Sequence, residues 1–309
     1  MKFTDIVIKF LESKKIKKVF VITGGASIHL IDSLGKSKNI DYICMHHEQS
    51  CGMAADGYAR VSKSKIGAAI ATSGPGATNL ITAIGCSWFD SIPVIYITGQ
   101  VTRFRMKGDL GVRQIGFQET DIVPMVKNIT KYATQVLKPN DILYELEKAY
   151  QIAISGRPGP VLIDLPDDLQ RMDLDEKKLK IYSKRNKNKS NNLKIKYEKK
   201  LDLIINGLHN SKRPVLITGA GISSNKSKDL IKLIQKILGI PVAPTWASQD
   251  LWNVKKNLTT GSFGTHGTRA GNFAVQNADF ILSIGARLGT RETGHPLSSF
   301  ARGAKIALV

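Results

Sequence analysis

Glu48 stands in the string HHEQSCGMAADGYAR (46–60), just after an apolar stretch and at the start of an amphipathic one. A carboxylate in a first helical turn is favoured by the macrodipole, and that alone accounts for many such residues. Here Cys51, Met53, Ala54 and Ala55 follow closely. Small or apolar neighbours at a strand edge would desolvate a carboxyl, raise its proton affinity and let it hold or pass a proton near neutral pH. The run ATSGPGATN (71–79) combines a strand end, a tight turn and a helix start. Its glycines let a ligand or another backbone approach closely, Pro75 fixes the helix entry, and the helix N-terminus suits an anion; a purely packing role for the glycines is equally open. TGAGISSN (218–225) has the strand-turn-helix setting of a nucleotide site, with Ser224 where the third glycine of GxGxxG would stand, and an ordinary βα turn is its alternative. Arg287 and Arg291 follow FILSIG (280–285) and offer planar forks for a phosphate or carboxylate, or are solvated loop charges. Cys44, His46, His47 and Cys51 cluster, but adjacent histidines in an extended segment point to opposite faces and no second ligand pair lies at finger-like spacing, so no metal site is expected.

These groups need strand ends to stand on, and the pattern supplies them. Ile6, Val7, Phe10 and Leu11 mark one face of a first helix opened by Thr4, and VFVIT (19–23) reads as a buried strand ending in Gly24-Gly25. Helix 27–34 then leads to strand 41–45, helix 49–62 to strand 66–72, helix 76–89 to strand 93–98, and helix 141–155 to strand 160–165. Such alternation predicts an α/β fold, a doubly wound parallel sheet, whose ligands gather where strands end. A second unit has a helix near 197–209, strand 214–218, helix 228–238, and strands at 241–244 and 280–285. KIALV (305–309) reads as a buried strand, so this Rossmann-like α/β unit is expected to be incomplete.

The net charge of +20 is unevenly spread. Residues 177–200 hold eleven Lys or Arg against the single Glu198. Lysines mixed with Asn and Ser, without an aromatic ladder, read as a solvated linker over 171–196 rather than a phosphate-binding tail, so no nucleic-acid partner is expected. No apolar run approaches a membrane span, the start lacks the apolar core of a secretory leader, and three irregularly spaced cysteines give no disulfide framework; a cytoplasmic location is expected.

Taken together, ITGGASIHLIDSL, HHEQSCGMAADGYAR, ATSGPGATNLITAI, DSIPVIYITGQV, GFQETD and GRPGPVLIDLP are specific. In this order and spacing they resemble the thiamine-diphosphate enzymes of the acetolactate synthase type. The resemblance makes 1–170 the pyrimidine-binding domain and 197–309 a central, FAD- or nucleotide-binding-like domain, cut short. It implies that Glu48 shares a proton with the cofactor's aminopyrimidine, that the activated thiazolium attacks a 2-oxo acid such as pyruvate, and that the remainder left after CO₂ departs joins a second carbonyl compound. Thr72, Pro75, Asn79 and Gln100 would lie near the pyrimidine or support its pocket; Gly25, Ala26, Phe117 and Gln118 would line the reacting carbon. Arg157 of GRPGP, Gly219, Ala220 and Gly221, Thr245, Thr265, His266 and Gly267, and Gly285, Ala286 and Arg287 match places where acetolactate synthases hold FAD. Arg287 also matches an arginine tied there to the second 2-oxo acid.

Two departures bear on substrate and flavin. Acetolactate synthases usually read LPKD where this chain has LPDD, so Asp167 reverses a charge near the substrate entrance, and GARFDDR where it has GARLGTR. The family's GDG…N signature for Mg²⁺ and the diphosphate is absent from the sequence. Mg²⁺ is therefore expected on a further domain, the family's homodimer or homotetramer builds its site between subunits, and this polypeptide alone is expected to be inactive. Half of a split enzyme, or a nucleotide-binding module similar in GAGIS to sirtuin-type domains, are the competing readings.

Overall fold

The computed structural model describes residues 1–183, 190–222, 225–253 and 258–309, and the chain divides into two compact units, Met1–Arg185 and Asn186–Val309. The expected basic linker falls partly on 184–189, outside the described residues; the helix expected near 197 runs over Ser190–His209.

In chain order the first unit has helix α1 (Phe3–Ser13), β1 (Lys18–Val21), α2 (Ile28–Lys36), β2 (Asp41–Cys44), α3 (Glu48–Val61), β3 (Gly67–Ala71), α4 (Pro75–Thr78), α5 (Ile81–Asp90), β4 (Val94–Gln100), α6 (Ile122–Val126), β5 (Tyr132–Gln135), α7 (Ile142–Ile154), β6 (Val161–Pro166) and α8 (Asp167–Gln170). The six strands pair in parallel in the order β2-β1-β3-β4-β6-β5. Strands β3, β4 and β6 are buried throughout, which is why they read as continuous apolar runs. Alternate residues face opposite layers: Ile70, Ile95, Ile97 and Ile163 pack with α1, α2 and α7, whereas Ala69, Ala71, Tyr96 and Leu162 pack with Cys51, Ala55 and Ala59 of α3 and with α5. The alanines bring α3 close to the sheet. Strand β5 was not expected; it is a half-buried edge strand without an apolar run. Thr4 lies inside α1 rather than capping it, and its hydroxyl meets Ser33 at 2.7 Å.

A buried polar knot ties α3, α5 and β4 together. Asp56 accepts from Arg60 Nε (2.7 Å) and Ser87 Oγ (2.8 Å), Ser87 lies 3.0 Å from the Tyr96 hydroxyl, and Arg60 also reaches Asp90 (2.7 Å). It fixes the spacing of α3, which Glu48 opens, and α5, which Asn79 and Leu80 directly precede.

The second unit has α9 (Ser190–His209), β7 (Pro214–Thr218), α10 (Asn225–Leu238), β8 (Val242–Pro244), α11 (Arg269–Gln276), β9 (Phe280–Ile284), α12 (Thr290–Thr293) and β10 (Lys305–Leu308). Its parallel sheet has the order β10-β9-β7-β8. Val215, Ile217 and Ile281 build one core layer; Leu216, Val242, Phe280 and Leu282 build the other. Strand β10 forms where KIALV was expected to be a strand and pairs in parallel with β9.

Candidate active site

The first sheet reverses its winding twice, between β1 and β3 and between β4 and β6. Crevices at such switch points collect ligands. At the first, Ala26 N–H donates to Thr72 Oγ1 (3.2 Å), so the turn after β1 rests on the turn after β3. Gly74 holds φ +61°, where an added Cβ would come within 2.7 Å of Gln118 Cβ. Only glycine suits that left-handed close approach, and it seats the SGPG turn against the GFQE segment.

Glu48 is the first residue of α3, capped by His47, whose Nδ1 accepts from Gln49 N–H at 3.1 Å. Asn79, just after α4, donates Nδ2 to Glu48 Oε2 at 2.9 Å, while Oε1 has no hydrogen-bond partner among the described residues. Pro75 is the first residue of α4 and delivers Asn79 one turn later. The expected helix 76–89 is thus two helices, broken at Asn79–Leu80. Glu48 is half-buried. Of the wall expected around it, Cys51 and Ala55 are buried and Met53 is exposed on the other side of the helix. Burial pushes the Cys51 thiol up to about 12, with the Glu48 charge adding to the effect, so this sulfur is inert; Cys44, His46 and His47 are exposed. Among the described residues no group of three or more His, Cys, Asp or Glu is placed to hold a metal.

A cavity of about 450 Å³ opens on Thr72 and Ser73, at the end of β3; neither Glu48 nor Asn79 lines it. Gly25, Ala26, Phe117 and Gln118, predicted as one set, line it together with Thr72. Sequence reasoning missed Thr102, Arg105, Asp168 and Arg171 on its other wall. Asp168 is paired with Arg103 at 2.7 Å, and Asp167 accepts from Arg171 and lies 3.7 Å from His29 Nε2. Arg171 therefore offsets the charge reversal that LPDD introduces.

Gln100 is 2% exposed, and its amide is fully used: Nε2 donates to Thr120 O (2.7 Å) and Asp164 Oδ2 (3.1 Å), and Oε1 accepts from Val101 N–H (2.9 Å). It supports the site from below. Asp164 is buried, and burial raises its carboxyl to about 6 even though Thr98, Gln135 and Gln100 donate to it; Asp121 raises it further. An ionised group in this position costs folding free energy. Its folded value lies above its ordinary 3.8, so its contribution to stability is full below that value and is lost as pH rises through about 6. The stability of the wild type relative to Asp164→Asn should fall by about 3 kcal/mol between acid and neutral pH. Denaturant melts of both proteins at pH 4 to 7.5 check the slope.

Glu119 collects three backbone donors, Lys107 N–H at 2.7 Å, Ile115 N–H at 2.8 Å and Gly116 N–H at 3.3 Å, and so staples both ends of the loop 107–116. Partial burial raises its carboxyl, but these donors outweigh that and hold it below its ordinary 4.5. The stability it adds is present above 4.5 and is lost as pH falls through its lower folded value. Glu119→Gln should cost about 1 kcal/mol locally and speed tryptic cutting after Arg113 several-fold at neutral pH. Unchanged cutting would show that the loop does not depend on the staple.

The other predicted residues fall elsewhere. Arg157 precedes β6, at the amino edge of the first sheet, and donates to Ser91 Oγ (2.6 Å), opposite the edge where the cavity lies. In the second unit Gly219, Ala220 and Gly221 follow β7, and Gly285, Ala286 and Arg287 follow β9 at the switch point of that sheet. Gly221 N–H donates to Gly285 O (2.9 Å), and a Cβ on Gly219 would stand 2.3 Å from Gly285 O, so these glycines are used in loop packing. Arg287 is exposed without an ion pair among the described residues. Thr245 follows β8 and is buried, its N–H on Thr218 O (2.9 Å); Thr265 N–H and Oγ1 both donate to Arg291 O, His266 stacks edgewise on Trp246 at 5.0 Å, and Gly267 packs on Phe263. Ser223 and Ser224 of TGAGISSN lie outside the described residues.

Comparison with known proteins fits this arrangement. Residues 1–125 match the family model described as "Thiamine pyrophosphate enzyme, N-terminal TPP binding domain", and residues 201–309 match "Thiamine pyrophosphate enzyme, central domain". The chain is 37% identical over 307 residues to the "Probable acetolactate synthase large subunit" of Methanococcus aeolicus, covering 99% of this chain and 50% of that protein. It is 38% identical over 313 residues to the protein of the same name from Methanocaldococcus jannaschii (99% and 50%). Against "Acetolactate synthase 3, chloroplastic" of Brassica napus the identity is 39% over 311 residues (99% and 45%). The chain spans about half the length of the curated relatives it matches.

Proposed function

This chain belongs to the thiamine pyrophosphate enzymes, and on that footing we propose that it supplies the pyrimidine side of a site that decarboxylates a 2-oxo acid of the pyruvate class and joins the remainder to a second carbonyl compound. Bound thiamine diphosphate supplies the carbon nucleophile and the electron sink for this chemistry. The carrying observation is the Glu48–Asn79 pair. Asn79 occupies Oε2 and fixes the carboxyl plane, which leaves Oε1 as the atom that holds or releases a proton. The residues fit an aminopyrimidine: Oε1 is open, and Gly76 keeps the space beside it clear of a side chain, since a Cβ there would stand 3.5 Å from that oxygen. Thr72 and Pro75 shape the turn against which the ring would rest, with Gln100 behind it. Gly25, Ala26, Phe117 and Gln118 form the substrate side.

The rest of the assembly follows from the same reading. Mg²⁺ and the diphosphate belong to the part of the relatives' length that this chain does not span, and the protein works as a homodimer or homotetramer with the site between subunits. FAD is a second cofactor, received at the carboxyl edges of β7, β8 and β9, with the exposed Arg287 as a cation beside it. A cytoplasmic location is part of the proposal; among the described residues no helix is long and apolar enough to cross a membrane.

The test joins this chain to the remaining half of the Methanococcus aeolicus relative and supplies pyruvate, thiamine diphosphate and Mg²⁺. CO₂ release that depends on thiamine diphosphate is the expected result. A folded, oligomeric fusion that binds thiamine diphosphate but turns over no 2-oxo acid would overturn the reaction class.

A further inference from the structure

Asp164 is a charged residue in the middle of an apolar strand, VLIDLP (161–166), and it is 1% exposed. Its two oxygens accept from three side chains on two neighbouring strands: Thr98 Oγ1 at 2.6 Å and Gln100 Nε2 at 3.1 Å from β4, and Gln135 Nε2 at 2.8 Å from β5. Among the described residues no cation pairs with it, so these donors are what repays the burial. A side chain with a single acceptor oxygen could not satisfy all three in this arrangement.

The bond to Gln100 has a consequence beyond the sheet. One Nε2 hydrogen of Gln100 goes to Asp164 and the other to Thr120 O, while Oε1 takes Val101 N–H. The carboxylate therefore fixes which way the amide faces, and the amide holds both ends of the segment that leaves β4 and returns at Thr120. Phe117, 83% exposed, and Gln118, at φ +57°, lie within it and line the cavity. We infer that Asp164 is a positioning residue, which through Gln100 sets where Phe117 and Gln118 stand on the substrate side of the cavity. This rests on the reading of that cavity as the 2-oxo acid site.

The experiment measures hydrogen exchange across 101–121 in the full chain and the Michaelis constant for pyruvate in the fusion described above. In Asp164→Asn, exchange of the Val101 amide and of 116–121 should quicken about tenfold, the factor for losing one net hydrogen bond, with α7 unchanged. Gln100→Met cuts the same link from the other side, keeps Asp164 paired with Thr98 and Gln135, and should reproduce the effect even where Asp164→Asn does not fold. Thr98→Val removes a donor from Asp164 without touching Gln100; it should lower the melting temperature and leave the segment protected. A segment that stays protected in Asp164→Asn and Gln100→Met, or one that loosens equally in Thr98→Val, overturns the positioning role. A segment that loosens while the Michaelis constant for pyruvate is unchanged overturns instead the reading of the cavity.

Discussion

Glu48→Gln is expected to lower turnover of pyruvate by about 10²–10⁴-fold in the fusion with the remaining half of a relative, the range for losing a positioned general acid–base group. The substitution keeps length and planarity. A glutamine oxygen still accepts from Asn79 Nδ2, as Glu48 Oε2 does at 2.9 Å, and α3 still starts under the His47 cap. What changes is the free position, where an amide that neither gives up nor takes a proton replaces Oε1. Folding should be unaffected, because Glu48 is half-buried and its side-chain hydrogen bond to Asn79 survives. Binding of thiamine diphosphate should also persist, so the loss belongs in kcat rather than in cofactor affinity. Asn79→Ala tests the geometry separately: the carboxyl keeps its proton chemistry but loses its orientation, and a smaller loss, about tenfold, is expected. A Glu48→Gln protein that turns over within a factor of a few of the wild type would remove Glu48 from the chemistry.

The features legible in the sequence are those that burial dictates. Strands β3, β4 and β6 are covered on both faces, so apart from Thr98, Gln100 and Asp164 their positions are apolar or small and the runs announce themselves. The turn glycines and Glu48 follow such runs directly, so their places at strand ends could be read. Strand β5 could not, since YATQ is half-buried at an edge and carries no run. The break between α4 and α5 falls at Asn79, whose bond to Glu48 is a tertiary contact over thirty-one residues that no local pattern records. Asp164 left a signal, an acid within an apolar run, though its partners come from β4 and β5 and could not be paired from spacing. Arg105 and Arg171 looked like any solvated cations; only folding brings them to one cavity wall.

Gly99→Ala carries the largest expected effect on the fold of the site. Gly99 sits in β4, buried, and is in register with Leu165 of β6. An added Cβ would stand 2.0 Å from Ala26 O, 2.4 Å from Ala26 C and 2.9 Å from Ser27 N. All three are backbone atoms, so no side chain can swing away. Strand β4 cannot yield either, because it is hydrogen-bonded to β3 on one side and β6 on the other. The turn at Gly25–Ser27 must lift, and with it go the Ala26 N–H bond to Thr72 Oγ1 and the 2.7 Å bond from Gln170 Nε2 to Ala26 O. Overpacking of this kind costs about 1–3 kcal/mol, and in a unit of this size each kcal/mol lowers the melting temperature by about 2–4 °C. Gly25→Ala is the matched control, since its Cβ would meet nothing within 4 Å, and it should stay within about 0.5 kcal/mol of the wild type. The two variants also separate the halves of the site. Lifting the turn displaces Gly25 and Ala26 from the cavity, while the Glu48–Asn79 pair, carried on α3 and the end of α4, keeps its support from the Asp56 knot. Gly99→Ala should therefore raise the Michaelis constant for the 2-oxo acid more than it lowers kcat, the reverse of Glu48→Gln. A Gly99→Ala protein that melts with the wild type would mean that the turn after β1 is not seated on β4, and the substrate wall built on it would have to be redrawn.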